Sequence, residues 1–281
     1  RVGRRFSLET APRLAKICKE LRSGGAARPR RLSEKSARVL PMQNHETVRR
    51  HGATAAAIDE GLRAYMNRVY GLMAMAMVIT GAVAFTIGNS PAALQVLFGT
   101  PLKWVVIFAP LAVVFGFSAM INRMSAATAQ IVFWVFAALI GASISTIFAV
   151  YTTVSIAQTF FVTAIAFGGL SLYGYTTKRD LSAFGAFLVM GLIGLIVASI
   201  VNIFLASSAL QFAISVIGVL IFAGLTAYDT QQIKNEYLGM SQMGPEGEAY
   251  MQKGAIMGAL RLYLDFINLF MFLLQFLGNR E

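Results

Sequence analysis

The chain has 281 residues, 57% of them hydrophobic and only 13% charged, about half the charged share of an average soluble domain. The charges gather in short clusters that leave long apolar runs between them, which excludes a single very greasy soluble globule and leaves lipid to cover much of the surface. The net charge of +11 does not point to nucleic acid, because residues 1–41 hold twelve Lys or Arg and three Glu, and so carry +9 of it.

The N-terminal stretch opens on Arg1, and its first methionine is Met42. It is rich in Arg, Ser, Ala and Pro, with weak periodicity. Two readings fit it: a basic membrane-surface or targeting segment, or an upstream extension before a natural start at Met42. Little fixed structure is expected before residue 60, giving a basic tail over 1–59 and a membrane body over 60–281. Cys18, the single cysteine, lies in the tail, so an intrachain disulfide and a thiolate metal site are both excluded. His45 and His51 also lie outside the apolar region and read as solvated residues. No cofactor is expected.

A spanning helix needs about 20 mostly apolar residues. Seven stretches qualify: Gly71–Gly88, Trp104–Ile121, Ile131–Val150, Val154–Tyr175, Leu181–Ala206, Phe212–Tyr228 and Gly254–Leu277. Their apolar runs are continuous rather than alternating, so helices are expected and not barrel strands. The class is therefore an all-α membrane protein of seven helices. Basic residues in short loops set the orientation. Arg123, Lys178, Arg179, Lys234 and Lys253 fall on the side of the N-terminus, with Arg49, Arg50, Arg63 and Arg68 flanking the first span. The opposite loops carry only Lys103, which puts the N-terminus in the cytoplasm.

The seventh span carries charge, Arg261 and Asp265, besides Asn268 and Gln275. A charged side chain at mid-membrane costs about 2.5–3.5 kcal/mol on insertion scales, so this helix is expected at the centre of the bundle, sheltered by the others. Gly168, Gly169, Gly191, Gly194, Gly218 and Gly224 are candidates for close helix contacts in spans 4 to 6. Asn202 and Asn268 read as interhelical hydrogen-bonding groups. The chain contains no GxxxxGK[ST], GxGxxG, HExxH or GxSxG signature.

Ionisable residues inside a membrane point to function. Here they are Asp229 at the inner end of span 6, Asp265 within span 7, Arg261 one turn before it, and Arg123 at the inner end of span 2. Spans 6 and 7 run in opposite directions, so both aspartates can lie in the cytoplasmic half. Two adjacent carboxylates in low dielectric repel when both are ionised, so such a pair tends to share a proton. The arrangement reads equally as a proton-sensitive latch or as structure: Arg261 and Asp265 stand at i, i+4 and can pair on one helix face, and Asp229 can cap a helix end. An enzyme is not expected. An intramembrane aspartyl protease needs Gly-x-Gly before its second aspartate, where this chain has Leu262, Tyr263 and Leu264.

The stretches Ala223–Ile233 (AGLTAYDTQQI), Ala259–Leu274 (ALRLYLDFINLFMFLL) and Lys178–Ser182 (KRDLS) resemble the Bax inhibitor-1 family, the transmembrane Bax inhibitor motif proteins, in its bacterial branch. The resemblance covers about residues 60–281 and implies a seven-helix fold with the last helix central. It also implies a pH-sensitive calcium leak in the bacterial inner membrane, gated by two aspartates and an arginine. Asp229 and Asp265 match the two aspartates, which would contact Ca2+ only in transit, and Arg123 matches the gating arginine. The chain departs from that pattern at Ala112 and its apolar neighbours, where the calcium-leak type has a glutamate. It departs again at Arg261, often a small neutral residue, which becomes a rival of Arg123 for Asp265. The partners so implied are the bilayer, protons and Ca2+. The alternative implied role is modulation of an FtsH-type membrane-anchored AAA protease through Met42–Arg68.

Overall fold

The computed structural model describes residues 42–279 other than 122 and 244, with side chains from residue 57 onward except 245, 246, 248 and 249. The expectations for residues 1–41, Cys18 among them, and for the side chains of His45 and His51 lie outside the described residues. Contacts divide the chain into Arg1–Thr54 and Ala55–Glu281. The described part of the first unit is helical, and the core, cavities and contacts discussed below belong to the second.

Seven long helices are labelled here α1 to α7. They are α1 (Met42–Gly88), α2 (Leu102–Met120), α3 (Ala126–Ile144), α4 (Thr153–Thr176), α5 (Ser182–Leu205), α6 (Ser208–Ser241) and α7 (Pro245–Leu277). A short helix, Pro91–Phe98, precedes α2, and a 3-10 turn, Ser145–Ala149, prolongs α3. Each of the seven contains a stretch long and apolar enough to cross a membrane. Several starts follow from one local rule. Ser125, Thr152 and Ser207 sit in extended backbone, and each side chain accepts a hydrogen bond from the backbone N–H three residues on, satisfying a donor that the first turn leaves free. At the far end of α5, Ala206 takes a left-handed conformation (φ 48°). Asn202 supports that turn by accepting the Ser207 N–H at 3.1 Å.

Three helix boundaries differ from the sequence expectation. α1 runs Met42–Gly88 and so extends well before Gly71, where the first apolar span is expected to open: between them the chain has no proline, and Ala55, Ala56 and Ala57 favour helix. α6 does not stop at Tyr228 but continues to Ser241, because Thr230, Gln231, Ile233 and Tyr237 beyond it are buried against neighbouring helices. α7 starts at Pro245 rather than Gly254, proline being well placed at a helix start. At about 1.5 Å per residue, the 34 residues of α6 reach roughly 51 Å, well beyond a hydrocarbon core of about 30 Å. Asp229 is therefore an interior helical residue and not a cap.

α7 is central. Of its most apolar stretch 61% is buried, against 17–39% in the other six spans. Its inner face carries Leu262 and Tyr263, both fully buried, with Phe266 and Phe270. The outward residues of the surrounding helices are large and apolar, among them Ile165, Phe187, Met190, Ile203 and Phe204. In water such a continuous patch would drive association. In a bilayer it is the lipid-facing surface, and the helices are then held together by packing and hydrogen bonds.

The small residues do not all serve as the sequence suggests. Gly168, Gly169 and Gly194 meet no neighbouring atom, so they mark no helix contact. Close approaches between backbones of different helices fall at Gly141, where a Cβ would lie 2.6 Å from the Thr80 carbonyl oxygen, and at Gly174, where it would run into the Ala227 carbonyl. Gly174 thereby brings α4 onto α6, and one turn away the Ser171 and Thr230 hydroxyls meet at 2.9 Å. Gly174→Val must push the two backbones apart. We expect a loss of about 1–3 kcal/mol, read as a lower melting temperature in detergent. An unchanged melt would show that α4 and α6 are not in contact there.

Candidate functional site

α6 and α7 form an antiparallel pair, and their facing side chains match along its length. Gln211 reaches Gln275, Gly218 lies against Phe272, Asp229 meets Asp265, and Glu236 meets Arg261. The register explains why residues 36 positions apart in sequence become neighbours. Asp229 and Asp265 line the same cavity, close enough for the charge of each to act on the other. Asp265 is 4% exposed and its Oδ2 has no hydrogen-bond partner among the described residues. A buried, unpartnered carboxylate oxygen is costly, which marks this pair as held in place by the surrounding packing.

Arg261 makes its ion pair with Glu236, Nη1 to Oε1 at 2.6 Å, and not with Asp265. The i, i+4 pairing considered from the sequence thus gives way to a cross-helix pair. The two side chains are 37% and 38% exposed, so by itself this bridge is worth at most about 1 kcal/mol. The charge of Arg261 also reaches Asp229, Asp265 and Tyr65. One guanidinium therefore serves three carboxyls. Tyr65 of α1 closes the cluster, its ring centroid 5.0 Å from that of Tyr237.

Asp229, Asp265, Arg261 and Asn268 line one cavity of about 580 Å³ between α5, α6 and α7, with an otherwise mostly apolar wall. Arg123 is elsewhere. It is exposed in the turn after α2, donates its backbone N–H to Met120, and does not line that cavity. The arginine beside the pair is Arg261. Of the two asparagines, Asn202 does bridge helices, donating to Gln211 at 3.0 Å, whereas Asn268 donates to Leu264 of its own helix at 2.8 Å.

Glu236 was not singled out from the sequence because it lies beyond the expected end of the sixth span. The available signal was its spacing, seven residues after Asp229 and so on the same helical face.

The loop Lys178–Ser182 is tied to the same helix. Gln231, two residues after Asp229, accepts the Leu181 N–H at 2.9 Å and donates to the Arg179 carbonyl at 2.8 Å. Lys234 donates to the Tyr175 carbonyl at 2.8 Å. Asp180 accepts from the Ser182 hydroxyl and N–H, which holds its exposed carboxyl below the usual range. Two of the sequence motifs are thus one physical unit, a polar clamp from α6 that fixes the turn between α4 and α5.

A seven-helix bundle with a charged central helix and a buried acid pair defines a class of integral membrane protein. Residues 62–281 match the family described as "Inhibitor of apoptosis-promoting Bax1". The chain belongs to this family, the Bax inhibitor-1 family. It is 50% identical over 222 residues to the inner membrane protein YbhL of Escherichia coli, covering 79% of this chain and 94% of that one. An uncharacterized protein of Rickettsia prowazekii is 50% identical over 225 residues, 79% of this chain and 92% of that one. An uncharacterized protein of Caulobacter vibrioides is 50% identical over 235 residues, 80% and 92% of the two chains.

Proposed function

We propose that this chain is a proton-sensitive cation leak of the bacterial inner membrane, with Ca2+ as its ion and the Asp229–Asp265 pair as its sensor. The observation that carries this reading is the pair itself: two carboxyls face one another at the wall of a 580 Å³ cavity, one of them with a buried and unpartnered oxygen. Paired carboxyls suit a hard cation that takes oxygen ligands. They also suit proton sensing, because a single proton changes the charge facing the cavity. Arg261 is the cation that balances the pair, and Glu236 competes for it. The inner-membrane location is carried over from YbhL, and the basic residues of the loops support a cytoplasmic N-terminus.

Protonation of the pair leaves Arg261 to Glu236 alone and loosens the packing of α6 on α7, which opens the path. In proteoliposomes, wild-type Ca2+ flux rises with acidification. Asp229→Asn and Asp265→Asn fix one partner in its neutral form and flatten that pH profile. A proton-dependent flux that survives unaltered in both variants would sink the reading.

A further inference from the structure

α7 carries a stripe with alternating steps of four and three residues: Arg261, Asp265, Asn268, Phe272 and Gln275. These positions fall on one helix face. Four are polar and one is not. The facing stripe of α6 runs Gln211, Ser215, Gly218, Phe222, Leu225 and Asp229, polar at both ends and apolar in the middle. The seam is therefore polar at its two ends and apolar between them, where Phe272, the one apolar member of the α7 stripe, faces Gly218 and Phe222 of the apolar α6 stretch from Gly218 to Leu225.

At the end away from the aspartates the polar groups are joined. Asn202 Nδ2 donates to Gln211 Oε1 at 3.0 Å, Gln211 Nε2 donates to Gln275 Oε1 at 2.8 Å, and the Ser215 hydroxyl donates to that same oxygen at 3.1 Å. These side chains line a second cavity of about 410 Å³. Phe222 and Phe272 belong to the wall of the aspartate cavity, while Ser215, two turns from Phe222, and Gln275, one turn from Phe272, belong to the second. The two rings stack with centroids 5.8 Å apart and planes 26° from parallel. Gly218 lets the Phe272 ring settle onto α6, since a Cβ there would stand 2.8 Å from three of its atoms.

We propose that Phe272, seated on Gly218, is the plug between the aspartate cavity and a second, amide-lined mouth of the ion path. This inference rests on the leak reading above and names the constriction that reading requires. An aromatic ring across a narrow seam keeps the gap dry, and a dry gap stops ions. The amide and hydroxyl oxygens beyond it offer the neutral ligands that a partly dehydrated cation needs.

The test follows thiol accessibility in the full chain with Cys18→Ser, which removes the single native cysteine. A membrane-impermeant thiol reagent is added to sealed vesicles on the side of the C-terminal end of α7. Gln275→Cys is labelled and Asn268→Cys is protected. Adding Phe272→Ala exposes Asn268→Cys about tenfold or more, as expected when a hydrophobic constriction is removed. Phe272→Leu gives an intermediate rate and decides the matter where the alanine variant fails to insert. An Asn268→Cys labelling rate that ignores residue 272 overturns the plug. Labelling needs no ion flux, so the two readings can fail separately. Plug-dependent labelling without Ca2+ flux in any variant sinks the leak, whereas aspartate-dependent flux with labelling indifferent to Phe272 sinks the plug.

Discussion

Arg261→Gln is expected to move the pH at which Ca2+ flux rises toward the alkaline side, and Glu236→Gln to move it toward the acid side. The sign follows from the cluster's geometry. Arg261 bridges to Glu236 at 2.6 Å while its charge also reaches Asp229 and Asp265. With the guanidinium removed, three carboxyls face one another without a cation, and a proton takes its place at a higher pH. With Glu236 neutralised, the whole of that positive charge turns toward the aspartates, and acid has to work harder to protonate them. A displacement of roughly one pH unit either way, about 1.4 kcal/mol, is the size expected of a neighbouring charge after screening at a half-exposed site. The pH profile of flux in proteoliposomes reads it. Displacement in the same direction by both variants would show that Glu236 does not compete for Arg261. The profile of Arg123→Gln should stay close to wild type, because Arg123 is exposed and lies outside the aspartate cavity.

The seven spans, and Asp229 and Asp265 as residues to watch, were legible in the sequence for one reason: a bilayer penalises charge so heavily that the few ionisable residues left inside it stand out. Centrality of α7 followed by the same logic, since a helix carrying Arg261 and Asp265 needs shelter. What stayed hidden depended on how far a helix runs past the membrane. Glu236 looked like an ordinary polar residue after the sixth span, and only the continuation of α6 to Ser241 sets it opposite Arg261. Arg123 is a different case. Sequence spacing put it at the inner end of α2, but the turn in which it sits is exposed, and no spacing rule reports which way a turn faces. Gly174 went unnoticed because a glycine becomes informative only when its partner is known, here the Ala227 carbonyl of another helix.

Tyr263→Ala is expected to cost the bundle about 3–5 kcal/mol, the range for deleting a buried aromatic side chain. Tyr263 is fully buried in α7, and its ring stands edge-on to Phe133 and Phe136 of α3, with centroids 5.8 and 6.0 Å away. Its hydroxyl meets that of Thr80 in α1 at 2.6 Å, and Thr80 donates in turn to the Ala137 carbonyl of α3 at 2.8 Å. One side chain thus joins the central helix to two others, by packing on one side and by a short hydroxyl chain on the other. The contributions separate by substitution. Tyr263→Phe keeps the ring and leaves the Thr80 bond to Ala137, so it costs about 1 kcal/mol, a single net hydrogen bond. Thr80→Val strands the Tyr263 hydroxyl and takes from the Ala137 carbonyl the donor it accepts from, and the expected loss is about 1–3 kcal/mol. Unfolding in mixed micelles should therefore rank Tyr263→Ala as the most damaging, then Thr80→Val, then Tyr263→Phe. Equal losses for the alanine and phenylalanine variants would show that the hydroxyl chain, and not the packed ring, holds α7 at the centre.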